Sequence, residues 1–107
     1  MSYIFEIAAR AMYQAVKPAR NSDYRRFVKR FPCVGCGRTW WIDPAHTGAH
    51  GLSQKASDFS CLPLCRLCHE EFDKHPREFA RVHNLDVEGL IQMFNGWYAE
   101  QQRKKAA

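Results

Sequence analysis

The sequence has no apolar stretch close to the roughly 20 residues that a membrane-spanning helix needs. Its first residues also lack an uninterrupted apolar segment followed by a small-residue cleavage site, the pattern of a secretory signal. No internal repeat or low-complexity segment is visible, and 107 residues do not suffice for two full domains. We therefore expect one compact domain that is intracellular and cytoplasmic and has no membrane partner.

Acidic residues are scarce in residues 1–32, where seven lysines and arginines face only Glu6 and Asp23. The other nine basic and nine acidic residues cancel, so the entire formal net charge of +5 lies in this segment. Basic and aromatic side chains are interleaved there, which favours a phosphate-binding face, although a solvated basic helix would have the same composition. The candidate nucleic-acid contacts are Arg25, Arg26, Lys29 and Arg30, with Lys55 and Arg66 further along the chain.

Cysteines are few, but four of the five form two Cys-x-x-Cys pairs separated by 28 residues, namely Cys33 with Cys36 and Cys65 with Cys68. In a reducing compartment such pairs are metal ligands more often than disulfide partners. Four thiolates suit one tetrahedral zinc ion, while an iron centre and unpaired buried thiols are the alternatives. Because protein ligands fill every position, this zinc would be structural. Cys61, with apolar neighbours, is expected to be a buried thiol outside the site.

Apolar spacing and the positions of proline predict a mixed α+β fold. A helix over 3–17 stops at Pro18, and a second begins at a Ser22 or Asp23 cap and ends at Pro32. The remaining predicted elements are a strand at 40–42, a loop over 47–57, a strand over 59–64, a helix from Arg66 to Pro76, a short helix through Val82, and a last helix capped by Asp86. The segments are a basic helical extension (1–32), a core (33–84) and an amphipathic helix (85–107).

Histidines are concentrated between and after the cysteine pairs, in Asp43-Pro44-Ala45-His46-Thr47-Gly48-Ala49-His50-Gly51, Gln54-Lys55-Ala56-Ser57-Asp58 and Leu62-Pro63-Leu64-Cys65-Arg66-Leu67-Cys68-His69, with His75 following. Over roughly residues 27–84 this arrangement resembles the HNH endonucleases, above all members of the type found in phages. The resemblance implies a small ββα-metal unit, similar to a zinc finger, with flanking helices and a four-cysteine zinc. It also implies an origin in a phage or prophage.

By that resemblance, His46 matches the general base that activates water, and His69 matches a ligand of a catalytic metal at the start of a helix. Asp58 lies near the middle Asn/His/Asp position, as a catalytic residue or metal ligand. The family usually has Asp or His directly before the base, where this chain has Ala45. Asp43, His50 or His75 could supply the missing ligand.

Phosphodiester hydrolysis needs a base with a pKa near neutrality and a cation to neutralise the charge that develops on the phosphate. We therefore expect a DNA endonuclease that uses Mg²⁺, Mn²⁺, Ni²⁺ or Zn²⁺, with 5′-phosphate and 3′-hydroxyl products implied by the resemblance. Trp40 and Trp41 could stack on bases or contribute to the core. The alternatives are a zinc-stabilised DNA-binding module without catalysis and a protein-interaction adaptor that uses the C-terminal apolar helix face.

Overall fold

A pair of antiparallel strands lies between helices in the computed structural model, which describes residues 20–48 and 57–106. The described elements are helix α1 (Ser22–Val28), strand β1 (Ile42–His46), a 3₁₀ turn (Asp58–Ser60), strand β2 (Cys61–Cys65), and helices α2 (Arg66–Lys74), α3 (Pro76–Val82) and α4 (Val87–Ala106). The predicted α+β class is confirmed, and the hairpin leads directly into α2, the ββα order that the resemblance implies. The helix predicted over 3–17 lies outside the described residues.

The strands pair from Ile42 opposite Cys65 to His46 opposite Cys61. Every residue of β2 is buried, because helices and the first cysteine segment cover this strand. Pro44 and Pro63 face one another at the centre, where neither can donate a ladder hydrogen bond. The carbonyl of Pro63 instead accepts from the backbone N–H of Val34, at 2.9 Å. This bond attaches the first cysteine pair to the middle of the hairpin.

Helix boundaries follow local capping, with two differences from the prediction. Asn21, and not Ser22 or Asp23, caps α1, since its side chain accepts from the Tyr24 N–H at 2.9 Å. The helix ends at Val28, before the predicted end at Pro32, because the next residues turn through tighter bonds, in which the Arg30 N–H donates to the Phe27 carbonyl and the Phe31 N–H to the Val28 carbonyl. Asp86 precedes α4 as predicted, with its carboxylate accepting from Gly89 N–H at 3.1 Å.

The first strand also differs from the prediction, since it begins at Ile42 and extends to His46. Trp40 and Trp41 precede it and are both exposed. Trp41 has a φ of 56°, a left-handed backbone that cannot continue a strand. The carbonyl of Trp41 still accepts from the Arg66 N–H at 3.0 Å, so this residue lies beside the start of α2.

Two apolar clusters hold the elements together. One joins α1 and α4 to β2 through Tyr24, Phe27, Val28, Cys61, Leu62, Phe94 and Tyr98. Within it the Tyr24 and Tyr98 rings meet edge to face at 5.0 Å, and the Asn95 amide donates to the Tyr24 hydroxyl and the Phe59 carbonyl. The other joins the strands to α2 and α3 through Cys33, Ile42, Ala45, Leu64, Cys65, Phe72 and Phe79. The hairpin thus lies between two packed layers that fix both of its faces.

Candidate metal centre and catalytic site

The four paired cysteines converge in space. The sulfurs of Cys33, Cys36, Cys65 and Cys68 all lie within 4.8 Å of one another, and the Cys36 and Cys65 sulfurs are 3.6 Å apart. Sulfurs bound tetrahedrally at about 2.3 Å from a zinc ion would be about 3.8 Å apart, whereas disulfide sulfurs would be bonded at about 2 Å. The cluster can therefore hold one metal ion, as the spacing of the cysteines predicts.

Backbone amides donate to sulfurs of this cluster and thereby stabilise negative charge on them. Gly35 N–H and Cys36 N–H point at the Cys33 sulfur at 3.3 and 3.5 Å, and Cys68 N–H points at the Cys65 sulfur at 3.5 Å. Burial by itself raises the pKa of the Cys33 thiol, but the amide donors outweigh it and lower that pKa to about 7. Burial and the neighbouring thiols raise the pKa of Cys68. Four thiolates this close repel one another, so the donor set fits a soft cation.

Cys61 lies apart from the four-cysteine cluster. It is fully buried in the α1–β2–α4 cluster, and burial, with the charge of Asp58, raises its pKa to about 12. A thiol with such a pKa stays protonated at neutral pH and makes a poor metal ligand. The expectation of a buried thiol at this position agrees with the structure.

At the end of β1, His46 contacts Asp58. Its Nε2 lies 2.7 Å from Oδ1 of Asp58, whose side chain is completely buried at the start of the 3₁₀ turn. The His46 ring itself remains more than a third exposed. Since the carboxylate accepts from Nε2–H, the lone pair of the ring lies on Nδ1. The imidazole of His46 is thereby held in one orientation while part of its ring remains accessible to solvent.

Three further donors surround Asp58. The Asn21 backbone N–H donates to Oδ2 at 2.7 Å, and the guanidinium groups of Arg25 and Arg20 lie at 3.3 and 3.7 Å. Burial alone would raise the pKa of Asp58, but His46, Asn21 and Arg25 together hold it below its usual value. Asp58 is therefore a charged, fully engaged carboxylate at neutral pH.

His46, Asp58 and Cys61 also bring three possible ligand atoms within 4.8 Å of one another. A cation there would face the guanidinium groups of Arg25 and Arg20 and would need a thiol whose pKa is about 12. Both features oppose cation binding, so we interpret the group as a hydrogen-bonded His46–Asp58 pair. Residue patterns could not indicate Arg20 and Asn21 as further partners of Asp58, because these residues are 38 and 37 positions away from it in the chain.

A second pair joins β1 to the first turn of α2. The His69 Nδ1 lies 3.0 Å from Oδ2 of Asp43, and Arg66 lies 3.4 Å from the other carboxylate oxygen. Burial by itself raises the pKa of Asp43, but the contacts with His69 and Arg66 outweigh it and lower that pKa. The Nε2 of His69 is 3.4 Å from the Asp73 carboxylate one turn later. The Asp43 carboxylate and the His69 imidazole thus lie together and are both partly exposed. Asp43 precedes His46 by three residues on the same strand.

Ala45, at the position where the family usually has a ligand, is fully buried between the strands and helices α2 and α3. A longer polar side chain would not fit there without disturbing that cluster. Of the two replacement ligands that lie in the described residues, Asp43 is the one in contact with His69. His75 is exposed at the junction of α2 and α3. His50 and Lys55 lie outside the described residues.

The basic candidates differ in what they contact. Arg25 pairs with buried Asp58, Arg26 with exposed Asp23, and Arg66 with Asp43. Lys29 and Arg30 are exposed at the end of α1. Arg26 and Arg30 also line a cavity of about 370 Å³ between α1 and α4, with Lys105 on its far side. The positive charge of α1 is thus divided between a buried carboxylate and an open surface.

None of the helices in the described ranges is both long and apolar enough to cross a membrane. Comparison with protein families gives a match of residues 13–99 to DUF968, described as a protein of unknown function. The chain is also 32% identical over 78 residues to the uncharacterized protein YdfU of Escherichia coli strain K12. That alignment covers 70% of this chain and 22% of YdfU, so the chain spans about a fifth of its relative's length. No solved structure matches the chain.

Proposed function

We propose that this chain, which belongs to the DUF968 family, is a metal-dependent endonuclease that hydrolyses DNA and is stabilised by one structural zinc ion. The observation that carries the proposal is the pair of side chains, His46 and Asp43, that β1 presents near its two ends. One end of this strand presents an oriented histidine base, and the other presents a carboxylate against a histidine of α2. The resemblance of the His46, Asp58 and His69 region to HNH endonucleases supports the same conclusion.

Zinc is the metal that best fits the four-cysteine cluster. The donors are four sulfurs within 4.8 Å of one another, and thiolate ligands favour zinc over magnesium or calcium. No position would remain for water, so the ion would not take part in hydrolysis. Its contribution is to fix the start of α2, where Cys65 and Cys68 flank Arg66 and precede His69.

His46 is the proposed general base. Its Nε2 is occupied by Asp58, so Nδ1 is the atom that takes a proton from the attacking water. Asp58 is a positioning residue in this reaction, since its carboxylate orients the imidazole and stabilises the imidazolium that forms. This role differs from metal ligation, the other role expected for Asp58, because its carboxylate is completely buried and faces the guanidinium groups of Arg25 and Arg20, which oppose a second cation.

Asp43 and His69 are the residues that would hold a divalent ion, which when bound supplies positive charge to the scissile phosphate and leaving oxygen. Two protein ligands suit an ion such as Mg²⁺ or Mn²⁺, which usually keeps several waters and binds substrate phosphate. Arg66 holds the Asp43 carboxylate from its other side and is itself exposed, so it can also contact phosphate. Arg26, Lys29 and Arg30 would bind the DNA backbone further away.

Nicking of a supercoiled plasmid tests this function. With Mg²⁺ or Mn²⁺ we expect the native chain to nick the plasmid, and His46→Ala, Asp43→Asn and His69→Ala each to lower the rate by about 100-fold or more. His75→Ala should retain the native rate, because His75 lies away from both pairs. Each variant should retain one zinc ion per chain, measured by mass spectrometry of the folded variant.

Equal nicking by the native chain and His46→Ala would exclude His46 as the base. If the native chain binds duplex with a steep dependence on salt but nicks at no concentration of Mg²⁺, Mn²⁺, Ni²⁺ or Zn²⁺, the chain is instead a zinc-stabilised DNA-binding module. The adaptor alternative has less structural support. The apolar face of α4 that it needs is packed on α1 through Phe94 and Tyr98.

A further inference from the structure

Two adjacent tryptophans are exposed immediately before β1. The exposed fraction is 58% for Trp40 and 73% for Trp41, far above the value for the core aromatic residues. Neither tryptophan belongs to the two apolar clusters of the described residues. Large exposed aromatic side chains at adjacent positions usually mark a binding surface. Within the described residues, the two indole rings thus offer apolar surface that the core does not cover.

The backbone directs Trp41 away from the core. Its φ of 56° lies in the left-handed region, which a bulky residue rarely occupies and which favours glycine. The carbonyl of Trp41 is fixed by the N–H of Arg66, so the residue is held in this conformation at the start of α2. A tryptophan at a strained and exposed position contributes nothing evident to the apolar clusters of the described residues. This combination indicates a functional role for the indole.

The surroundings of the pair are cationic and close to the proposed catalytic residues. The guanidinium of Arg38 lies over the Trp40 ring at 5.2 Å from its centroid. The backbone N–H of Arg66 donates to the carbonyl of Trp41, and the Arg66 guanidinium lies 3.4 Å from the carboxylate of Asp43. Exposed indole rings with arginines nearby suit a nucleotide strand, since bases stack on indole rings while phosphates pair with arginine. A base can stack in this way only if it is unpaired.

We propose that Trp40 and Trp41 form a stacking platform for unpaired bases, so that the preferred substrate is DNA with single-stranded or looped nucleotides next to the cleaved phosphate. This inference rests on the proposed nuclease function for its biological meaning, but the binding that it describes is measurable without cleavage. The expected selectivity is for DNA structure and not for base sequence, because every base has a face that can stack.

Binding to three DNAs tests the proposal: a short single strand, the perfect duplex of the same sequence, and that duplex with a central unpaired loop. The full chain carries His46→Ala throughout, so that no cleavage occurs during the measurement. Trp41→Gly should weaken binding to the single strand and the looped duplex by about tenfold or more and change binding to the perfect duplex by less than about twofold. Trp40→Ala should act in the same direction.

Trp41→Gly also separates binding from folding. Glycine accommodates the positive φ, so the melting temperature should stay the same or rise while binding to unpaired DNA falls. Trp97→Ala is the matched control, because Trp97 is a partly exposed tryptophan on α4 that stacks on Phe31 far along the chain from this site. It should leave the preference for unpaired DNA unchanged.

Two results would overturn the proposal: equal affinity of Trp41→Gly and its parent for all three DNAs, or equal weakening on all three. The first would mean that the tryptophans serve another partner, and the second that they contact DNA without selecting unpaired bases. Failure of the nuclease function looks different. In that case the native chain would nick nothing, while the dependence of looped-DNA binding on Trp41 would remain.

Discussion

At the scale of single residues, Asp58 contributes both to stability and to the orientation of the proposed base. Its buried carboxylate accepts hydrogen bonds from the His46 ring of β1 and from the backbone N–H of Asn21, the cap residue of α1, and it forms an ion pair with Arg25 of α1. A buried charge is tolerated only when it is paired and hydrogen-bonded, and Asp58 meets this condition. The same contacts that stabilise the carboxylate also orient the proposed base, so stability and chemistry depend on one side chain.

We expect Asp58→Asn to lower the free energy of unfolding at pH 7 by about 2 kcal/mol, because charge-assisted hydrogen bonds at a buried site are lost. The control is Asp23→Asn, which breaks an exposed pair with Arg26 on the same helix and should cost less than about 0.5 kcal/mol. Urea unfolding with zinc present measures both. Similar losses for the two variants would contradict the importance assigned to burial.

The pH dependence has a definite sign. Because the folded pKa of Asp58 is lowered, its stabilising contribution is present above the pKa of the unfolded chain and is lost only as pH falls through the folded pKa. The difference between the native chain and Asp58→Asn should therefore persist on mild acidification. A difference that disappears near neutral pH would show that another group is responsible.

At the scale of elements, the first turn of α2 brings the four-cysteine cluster and the Asp43–His69 pair close together. Cys65 caps the helix, Arg66 and Cys68 follow, and His69 reaches Asp43 on β1. Positions separated by three or four residues lie on one side of a helix, so the same turn can hold a cysteine of the cluster and direct His69 toward Asp43. The orientation of His69 thus depends on how firmly the four-cysteine cluster holds the helix start.

The packing of α4 on α1 supports the other side of the site. Phe94 is buried against Phe31 and the rest of the α1–β2–α4 cluster, whereas its neighbour Met93 is partly exposed. We expect Phe94→Ala to lower the free energy of unfolding by about 3–5 kcal/mol because it leaves a cavity. Met93→Ala should cost less than about 1 kcal/mol. Thermal unfolding followed by circular dichroism compares them, and equal losses would argue against this packing.

At the scale of the whole molecule, the four-cysteine cluster joins parts that are distant in the chain. It links the segment before β1 to the start of α2, and the Val34 amide connects the same segment to β2. A domain of this size has little stability to spare, whereas structural zinc contributes an apparent binding free energy of about 10–16 kcal/mol. The metal is therefore expected to decide whether the domain folds.

Removal of zinc with a chelator should abolish the cooperative thermal transition, and addition of Zn²⁺ should restore it. Cys36→Ala should behave like the chelated protein, whereas Cys61→Ala should retain one metal ion per chain, since Cys61 lies in the apolar cluster. A transition that persists unchanged after mass spectrometry has shown loss of the metal would contradict a structural role for zinc.

Much of this could be predicted from short-range patterns. Two Cys-x-x-Cys pairs specify a metal site by residue type and spacing, and proline and capping residues place most helix boundaries within a few residues. The errors are local as well. The first strand starts at Ile42 because the backbone at Trp41 is left-handed, and α1 ends at Val28 because the last predicted turn tightens. Neither feature has a strong signal in residue type.

Comparison of the candidate ligands required the tertiary structure. Sequence left Asp43, His50 and His75 open beside His69. Among the described residues, strand pairing brings Asp43 next to His69, because β1 and the start of α2 are adjacent in space while 26 residues separate Asp43 from His69. In the same way, the resemblance to HNH endonucleases identified His46 and Asp58 as candidates, but only folding places Arg25, Arg20 and the Asn21 amide around the Asp58 carboxylate. Composition and spacing act within a segment, whereas burial and long-range pairing determine which charged groups meet.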